Sequence, residues 1–388
     1  MNLNIGKDRE SNDYVYLDAS RSRAVLVCGK RGSGKSYTLG VIVEELLAAS
    51  SNVLVILVDP MGIYYPMAQP NHEQERLLWD WGLRAKGLPI LLLVPGNPEF
   101  LYGGREVVTA MEKRGVRFRS FSLNPADLSP DAWCALFDLS ISDVMGIALF
   151  RAVQHLFRRH KQSFFIPDII TAIQDDPLVA DRTREALQNR LEMAEDWGIF
   201  STRYQELWEV FDHDAVNIVD LSTLDPGSRG RRNLVVDVLA RDIFRRRTIA
   251  RRKEELGLNG ELPHVWMLID EAHQFVPAGK STLAKEVLIR WTKEGRQPGL
   301  SLAVATQQPS AIDAEVITQC DVIIAQKLTN RIDIQSVNSL SQDYMADELR
   351  TYIQRLQRQG EAVLVDDEQE KVVMLQIRPR KSHHGGGG

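Results

Sequence analysis

Residues Gly29–Ser36 read GKRGSGKS, and this octet constrains the chain more than any other feature. It fills the pattern G-x-x-x-x-G-K-[ST] in full. Ahead of it, Ala24 to Cys28 is a short apolar run, and behind it Leu39, Ile42, Val43, Leu46 and Leu47 fall on one helix face. A glycine-rich turn between a strand and a helix start points its backbone N–H groups inward, and the helix adds partial positive charge. Such a cradle accepts a polyphosphate. The expected contacts are Gly29, Gly32, Ser33, Gly34, Lys35, Ser36 and Tyr37. Lys35 is expected to reach the β- and γ-phosphates of ATP, and the Ser36 hydroxyl to sit on Mg²⁺.

A second apolar run, Val53 to Val58, closes on Asp59-Pro60 and Gly62, so the order strand, loop, helix, strand opens a parallel α/β sheet. More strands are expected at Ile90–Val94, Val116–Phe121, Val216–Leu221, Val265–Ile269, Leu302–Ala305, Val322–Ala325, Ala362–Val365 and Val372–Ile377. Between about Ser129 and Phe211 strand signals vanish, and Leu149, Val153, Leu156 and Phe157 repeat at helical spacing. The expected fold is therefore α/β, a RecA-like P-loop NTPase core with a mostly parallel central sheet. Its two parts, 23–128 and 212–380, flank a helical insertion or subdomain at 129–211, with a segment 1–22 ahead and a flexible tail at 381–388.

Hydrolysis of ATP also needs a carboxylate for the metal shell and a group that orients the attacking water. HVWMLIDE, His264 to Glu271, supplies both. Asp270 would end a buried central strand beside the phosphate loop, where open parallel sheets bind ligands, and Glu271 would point to the opposite side and align the water. Asp270 to His273 also spell the DEAH of another helicase superfamily, whose members carry a second motor domain. The stretch after His273 is short for one, so His273 is expected to pack or hydrogen-bond near the site.

Leu283, Val287, Leu288 and Trp291 mark one face of the next helix, which is expected to stop at Gly295 in a left-handed C-cap. Arg296 follows at once. An arginine on a loop past a helix end can enter a neighbouring subunit's site and stabilise transition-state charge. A solvated surface arginine is the other reading. The run Leu302 to Ala305 ends in Thr306-Gln307-Gln308-Pro309 and is expected to lie between the strands of the loop and of Asp270. Gln307 would then touch the γ-phosphate or the attacking water, unless it only closes a strand with a polar residue.

Charge and hydropathy narrow the partners. A net charge of −5 and a pI near 6.0 exclude a surface that is basic throughout, so any DNA contact must be local. Basic residues gather at Arg229, Arg231 and Arg232, then at Arg241, Arg245, Arg246, Arg247, Arg251, Arg252 and Lys253, where a solvated helix face is the plain reading. The longest apolar stretches are far short of the ~20 residues of a membrane helix. A polar start and three scattered cysteines fit a reducing cytoplasm.

Several segments resemble the HerA branch of the HerA and FtsK ATPases. They are GKRGSGKS, VDPMGIYY from Val58 to Tyr65, NIVDLS from Asn217 to Ser222 and IDEAHQFVP from Ile269 to Pro277. KEGRQPG from Lys293 to Gly299, ATQQPSAID from Ala305 to Asp313 and ITQCDVIIAQKLTN from Ile317 to Asn330 continue the match. The resemblance covers most of Ser22 to Arg378 and is thinnest in the helical region. It implies a hexameric ring that drives double-stranded DNA through a central channel with ATP and Mg²⁺, in DNA processing or antiviral defence. It further implies that Arg296 acts in trans and that Gln307 senses the γ-phosphate. The catalytic set is then Lys35, Glu271, Arg296 and Gln307, with Ser36 and Asp270 on the metal, and Arg229 to Arg232 a candidate for the channel wall.

Family members commonly carry an N-terminal β-barrel that docks a nuclease or other effector. About 22 residues precede the first expected strand, so this chain is expected to lack it. Two further readings stay open: a ring that acts as an ATP-regulated platform for a partner nuclease or NAD-consuming effector, and a motor for packaging DNA into virus particles or for secretion.

Overall fold

Runs that are apolar at every residue must be covered on both faces, as a parallel sheet sandwiched by helices provides. The computed structural model, which describes residues 1–49, 52–160, 163–224, 229–260, 262–338 and 343–386, builds them into one sheet of twelve strands. In chain order these are β1 Asn2–Asp8, β2 Tyr14–Asp18, β3 Ala24–Cys28, β4 Val53–Asp59, β5 Ile90–Pro95 and β6 Val116–Phe121. The second half supplies β7 Val216–Asp220, β8 His264–Ile269, β9 Leu300–Thr306, β10 Val322–Ala325, β11 Glu361–Asp366 and β12 Lys371–Ile377.

Across the sheet the order is β2-β1-β12-β11-β10-β3-β9-β8-β4-β7-β5-β6. Every pairing from β10 to β6 is parallel. The pairings from β10 out to β2 are antiparallel. β9 lies between β3 and β8, as its place in the chain led us to expect. Helix α1, Lys35–Ala49, starts directly at the glycine-rich turn and buries Leu39, Ile42, Val43 and Leu46.

Residues 129–211 hold the helices Pro130–Leu136, Val144–His160, Ile166–Gln174 and Asp181–Glu195. Leu149, Val153 and Leu156 are buried, and Phe157 meets Phe164 edge to face at 5.1 Å. These side chains join the apolar cluster that covers one face of the sheet, so the helical region shares the core of the strands. Among the described residues no helix is long and apolar enough to cross a membrane.

Both chain ends depart from the sequence reading. Residues 1–22 are not a mere lead-in: β1 and β2 form a hairpin that extends the sheet past β12. Its signal is alternation, with Leu3, Ile5, Val15 and Leu17 buried between polar neighbours, the pattern of an antiparallel strand covered on one face. The expected tail at 381–388 is ordered at its start. Ser382 is buried, and its backbone N and hydroxyl donate to Glu44 Oε1 at 2.8 and 2.7 Å. Glu44 is itself buried in α1 and also pairs with Arg378 at 2.8 Å. An acid removed from water needs such donors, and the polar tail provides them.

The arginine run lies along the long helix Arg229–Glu255 and is paired locally. Arg241 contacts Asp237, Arg245 and Arg246 contact Asp242, and Arg251 contacts Glu255. Arg247 is buried and donates to Pro298 O at 2.7 Å.

Candidate nucleotide site

Parallel strands place their carboxyl ends along one edge, and the loops leaving that edge carry the candidate residues. The glycine-rich turn follows β3, Asp59 ends β4, Asp220 ends β7, Asp270 follows β8, and Gln307 follows β9. Gly32 and Gly34 have φ of +75° and +109°, where a side chain would be strained. A Cβ at Gly29 would lie 2.5 Å from Ser33 Oγ, so the turn closes only around glycine there.

A side chain from the neighbouring strand holds the turn. Gln326, buried at the end of β10, accepts from the Ser33 hydroxyl at 3.1 Å and donates to Thr38 Oγ1 at 2.9 Å. Lys30 N donates to Lys327 O at 2.8 Å beside it. Lys35 is buried, and its Nζ donates to Lys30 O at 3.1 Å. Burial pulls its pKa down, while Glu271 and Asp270 act in the other direction.

Asp270 stands across from the loop. The hydroxyls of Ser36 and Tyr64 donate to its Oδ2 at 2.7 and 2.9 Å, and Glu271 N donates to Oδ1 at 2.9 Å. A serine hydroxyl touching a carboxylate is a hard-oxygen pair that fits Mg²⁺, which takes one or two protein oxygens and completes its shell with phosphates and water. Among the described residues no group of three or more His, Cys, Asp and Glu could hold a metal. Bound there, the ion would neutralise charge between the outer phosphates.

Asp59 folds the loop that delivers Tyr64. Its Oδ1 accepts from Met61 N and Gly62 N at 3.0 and 2.8 Å, and its Oδ2 from Tyr64 N at 3.0 Å. Burial and then Asp220 push the Asp59 carboxyl up to about 7, against the pull of those amides. On the next strand Asp220 accepts from the Tyr102 hydroxyl.

Glu271 adopts φ 48° and ψ 45°, a left-handed conformation that is uncommon outside glycine and costs ~1–3 kcal/mol. The turn sends its side chain toward the end of β9. There Oε1 accepts from the Gln307 side-chain amide, and Oε2 lies 3.4 Å from His273 Nδ1. Oε2 is buried with no hydrogen-bond partner among the described residues. An acceptor oxygen without a donor is what a water-aligning carboxylate offers. Behind this corner Arg232 is buried and donates to Leu224 O at 2.9 Å and Gln274 Oε1 at 3.3 Å. Arg231 lies over the Trp197 ring at 5.6 Å. Arg232 thus ties its helix to the loops that leave β7 and β8, and, being buried, it does not offer its charge to the channel wall expected for it; the side chain of Arg229 lies outside the described residues.

Arg296 is not brought to this edge. It precedes β9 whereas Gln307 follows it, and at ~3.3 Å per residue the strand sets them roughly 20 Å apart. The expected left-handed cap is also corrected: Gly295 has φ −67° and ψ −20°. Close approach demands glycine there, since a Cβ would lie 2.3 Å from Trp291 O and 3.0 Å from Leu300 O. The positive φ of this turn, +79°, belongs to Gly299.

Sequence reasoning missed Tyr64, Gln326 and the burial of Arg232. Tyr64 and Gln326 fall in segments already singled out, VDPMGIYY and ITQCDVIIAQKLTN, each of which leaves the site edge of a buried strand. For Gln326 the available signal is a polar residue directly after such a strand, whereas Tyr64 lies in the loop that follows Asp59.

With its phosphate cradle, Ser–Asp pair and a glutamate beside them gathered at one edge of the parallel strands, the chain is built as a P-loop ATPase. Comparison with known proteins narrows the class. The family described as "Helicase HerA, central domain" matches residues 3–243, and the chain belongs to it. A probable helicase of Methanocaldococcus jannaschii is 23% identical over 353 residues, covering 86% of this chain and 58% of that protein. The DNA double-strand break repair helicases HerA of Sulfolobus acidocaldarius and Pyrococcus furiosus are 22% and 26% identical. These matches cover 94% and 97% of this chain, and 66% and 69% of the relatives. The chain thus spans from 58% to 69% of the length of these three. Among solved structures, VirB4 of Thermoanaerobacter pseudethanolicus superposes with a TM-score of 0.61 at 14% identity, covering 97% of this chain and 96% of that one. The bacterial conjugative coupling protein TrwB gives 0.54 at 13% identity, covering 94% and 87%. At these identities the likeness is one of fold.

Proposed function

We propose that the chain is an ATP-driven motor on double-stranded DNA that works as a hexameric ring of identical subunits. ATP and Mg²⁺ occupy the cradle from Gly29 to Tyr37, with Lys35 on the outer phosphates and Ser36 and Asp270 on the metal. Glu271 aligns the attacking water, and Gln307, bonded to Glu271, reports the γ-phosphate to the sheet. Arg296 of the neighbouring subunit completes the site. The observation that carries this reading is the convergence on one edge of Ser36, Asp270 and Glu271, whose Oε2 has no hydrogen-bond partner among the described residues, with Arg296 exposed at the other.

DNA is favoured by the relatives, whose names place them in double-strand break repair. A nuclease or other effector partner, in DNA processing or antiviral defence in the cytoplasm, is part of the same proposal. The test is native mass together with ATPase activity, with and without duplex DNA. The motor reading expects a hexamer whose turnover rises with DNA and which displaces a bound roadblock. Nucleotide-dependent assembly without displacement would identify a stationary platform instead.

A further inference from the structure

The Arg296 guanidinium does not hang loose at the sheet's edge. Its Nη2 donates to Asp321 Oδ2 at 3.3 Å and to Glu368 Oε1 at 2.9 Å. Among the described residues its Nε and Nη1 make no hydrogen bond, and the side chain is 62% exposed. One nitrogen is pinned while the rest of the fork faces outward.

The two carboxylates are themselves fixed. Asp321 Oδ1 accepts from Ala24 N at 2.9 Å, at the start of β3, and Asp367 N donates to Asp321 O at 3.1 Å. Arg23 lies buried behind the pair, with Nη1 3.3 Å from Asp321 Oδ2 and 2.6 Å from Glu368 Oε2. Glu368 therefore gives one oxygen to each arginine. Asp18 and Asp366 also face Arg23, at 3.6 and 4.0 Å, so Arg23 stays compensated if Glu368 loses its charge. An exposed ion pair adds little to stability. Orientation is a different matter, because a misplacement of about 1 Å can lower turnover on the order of 10²-fold.

We propose that Asp321 and Glu368 are positioning residues that hold Arg296 at one subunit's edge in the orientation that enters the neighbouring subunit's nucleotide site. This rests on the action of Arg296 in trans. The test is Glu368→Gln in assembled rings. Turnover should fall roughly 10- to 100-fold while KM for ATP stays within about twofold, since the nucleotide's own cradle is untouched. In an Arg296→Ala background Glu368→Gln should cost nothing further. Mixed rings supply the readout that a structural defect would not move. Lys35→Ala subunits still present an intact, positioned Arg296, so Glu368→Gln subunits beside them should regain turnover.

Full turnover in Arg296→Ala would remove the trans reading itself. Turnover lost in Arg296→Ala but kept in Glu368→Gln would overturn the positioning role alone, as would a Glu368→Gln defect that mixed rings do not rescue. Should Glu368→Gln fail to assemble, Glu368→Asp, which keeps the charge but shortens the reach, must show the same rescue.

Discussion

Tyr64→Phe removes one hydroxyl and leaves the ring in place. Tyr64 and Asp270 are both buried, and the hydroxyl donates to the carboxylate oxygen that Ser36 also touches, at 2.9 Å. When the Ser36 hydroxyl turns to the metal, Tyr64 remains as the side-chain donor that orients Asp270. A hydrogen bond to a charged group is worth ~1.5–3 kcal/mol. At about 1.4 kcal/mol per tenfold, its loss corresponds to a 10- to 100-fold weaker grip on Mg²⁺, the range typical when a partner behind a metal ligand is removed. The assay is ATP hydrolysis titrated with Mg²⁺. The apparent Mg²⁺ constant should rise by about 10- to 100-fold, with turnover at saturating metal nearly kept. An unchanged Mg²⁺ constant would show that Tyr64 does not orient Asp270, and the reasoning from the shared oxygen would fail.

Two more predictions concern the strap formed by the chain's end. A Cβ at Gly40 in α1 would lie 2.6 Å from the buried Arg380 guanidinium carbon. Gly40→Ala should therefore lose the ~1 kcal/mol that alanine usually gains in a helix and cost about 1–2 kcal/mol net, roughly 1–3 °C in melting midpoint. In an Arg380→Ala background the same substitution should stabilise, and a stabilising effect in both backgrounds would refute the packing. His384 Nδ1 lies 3.0 Å from Arg380 Nη1, and because a guanidinium only donates, this bond needs the neutral imidazole. Burial, then Arg380, pull the His384 pKa down to about 4. A pKa lowered on folding means that the unfolded chain takes the proton first, so this contribution is present above ~6.5 and is lost as pH falls toward 4. Melting midpoints of His384→Gln should drop less between pH 7 and pH 5 than those of the parent, and identical slopes would contradict the assignment.

What could be read in advance depended on whether a signal was local. Ala24–Cys28 in β3, Val53–Val58 in β4, Ile90–Val94 in β5 and Leu302–Ala305 in β9 are unbroken apolar runs, and a run that must be covered on both faces announces a central parallel strand. The phosphate turn and Asp270-Glu271 were legible for the same reason: their chemistry sits in adjacent letters. The β1–β2 hairpin was not, because Leu3, Ile5, Val15 and Leu17 alternate with polar residues over only a few positions. Ser382 read as part of a flexible tail, and only Glu44, 338 residues earlier, makes it part of the core. Gly295 illustrates a subtler loss. A glycine at a helix end suggests a left-handed cap, whereas here a carbonyl 2.3 Å from its would-be Cβ is what excludes a side chain. The contacts of Arg296 with Asp321 and Glu368 likewise span three strand connections that no local pattern links.

Glu271→Gln tests the core of the account most directly, with ATP binding and single-turnover hydrolysis measured on the same preparation. A nearly isosteric amide keeps the side chain's size while removing the acceptor charge that aligns water. ATP affinity should stay within a few-fold of the parent, and hydrolysis should fall by about 10²-fold or more. Parent-like hydrolysis in Glu271→Gln, or a parent protein that binds no ATP, would contradict a nucleotide seated at Gly29–Ser36 with its attacking water held by Glu271.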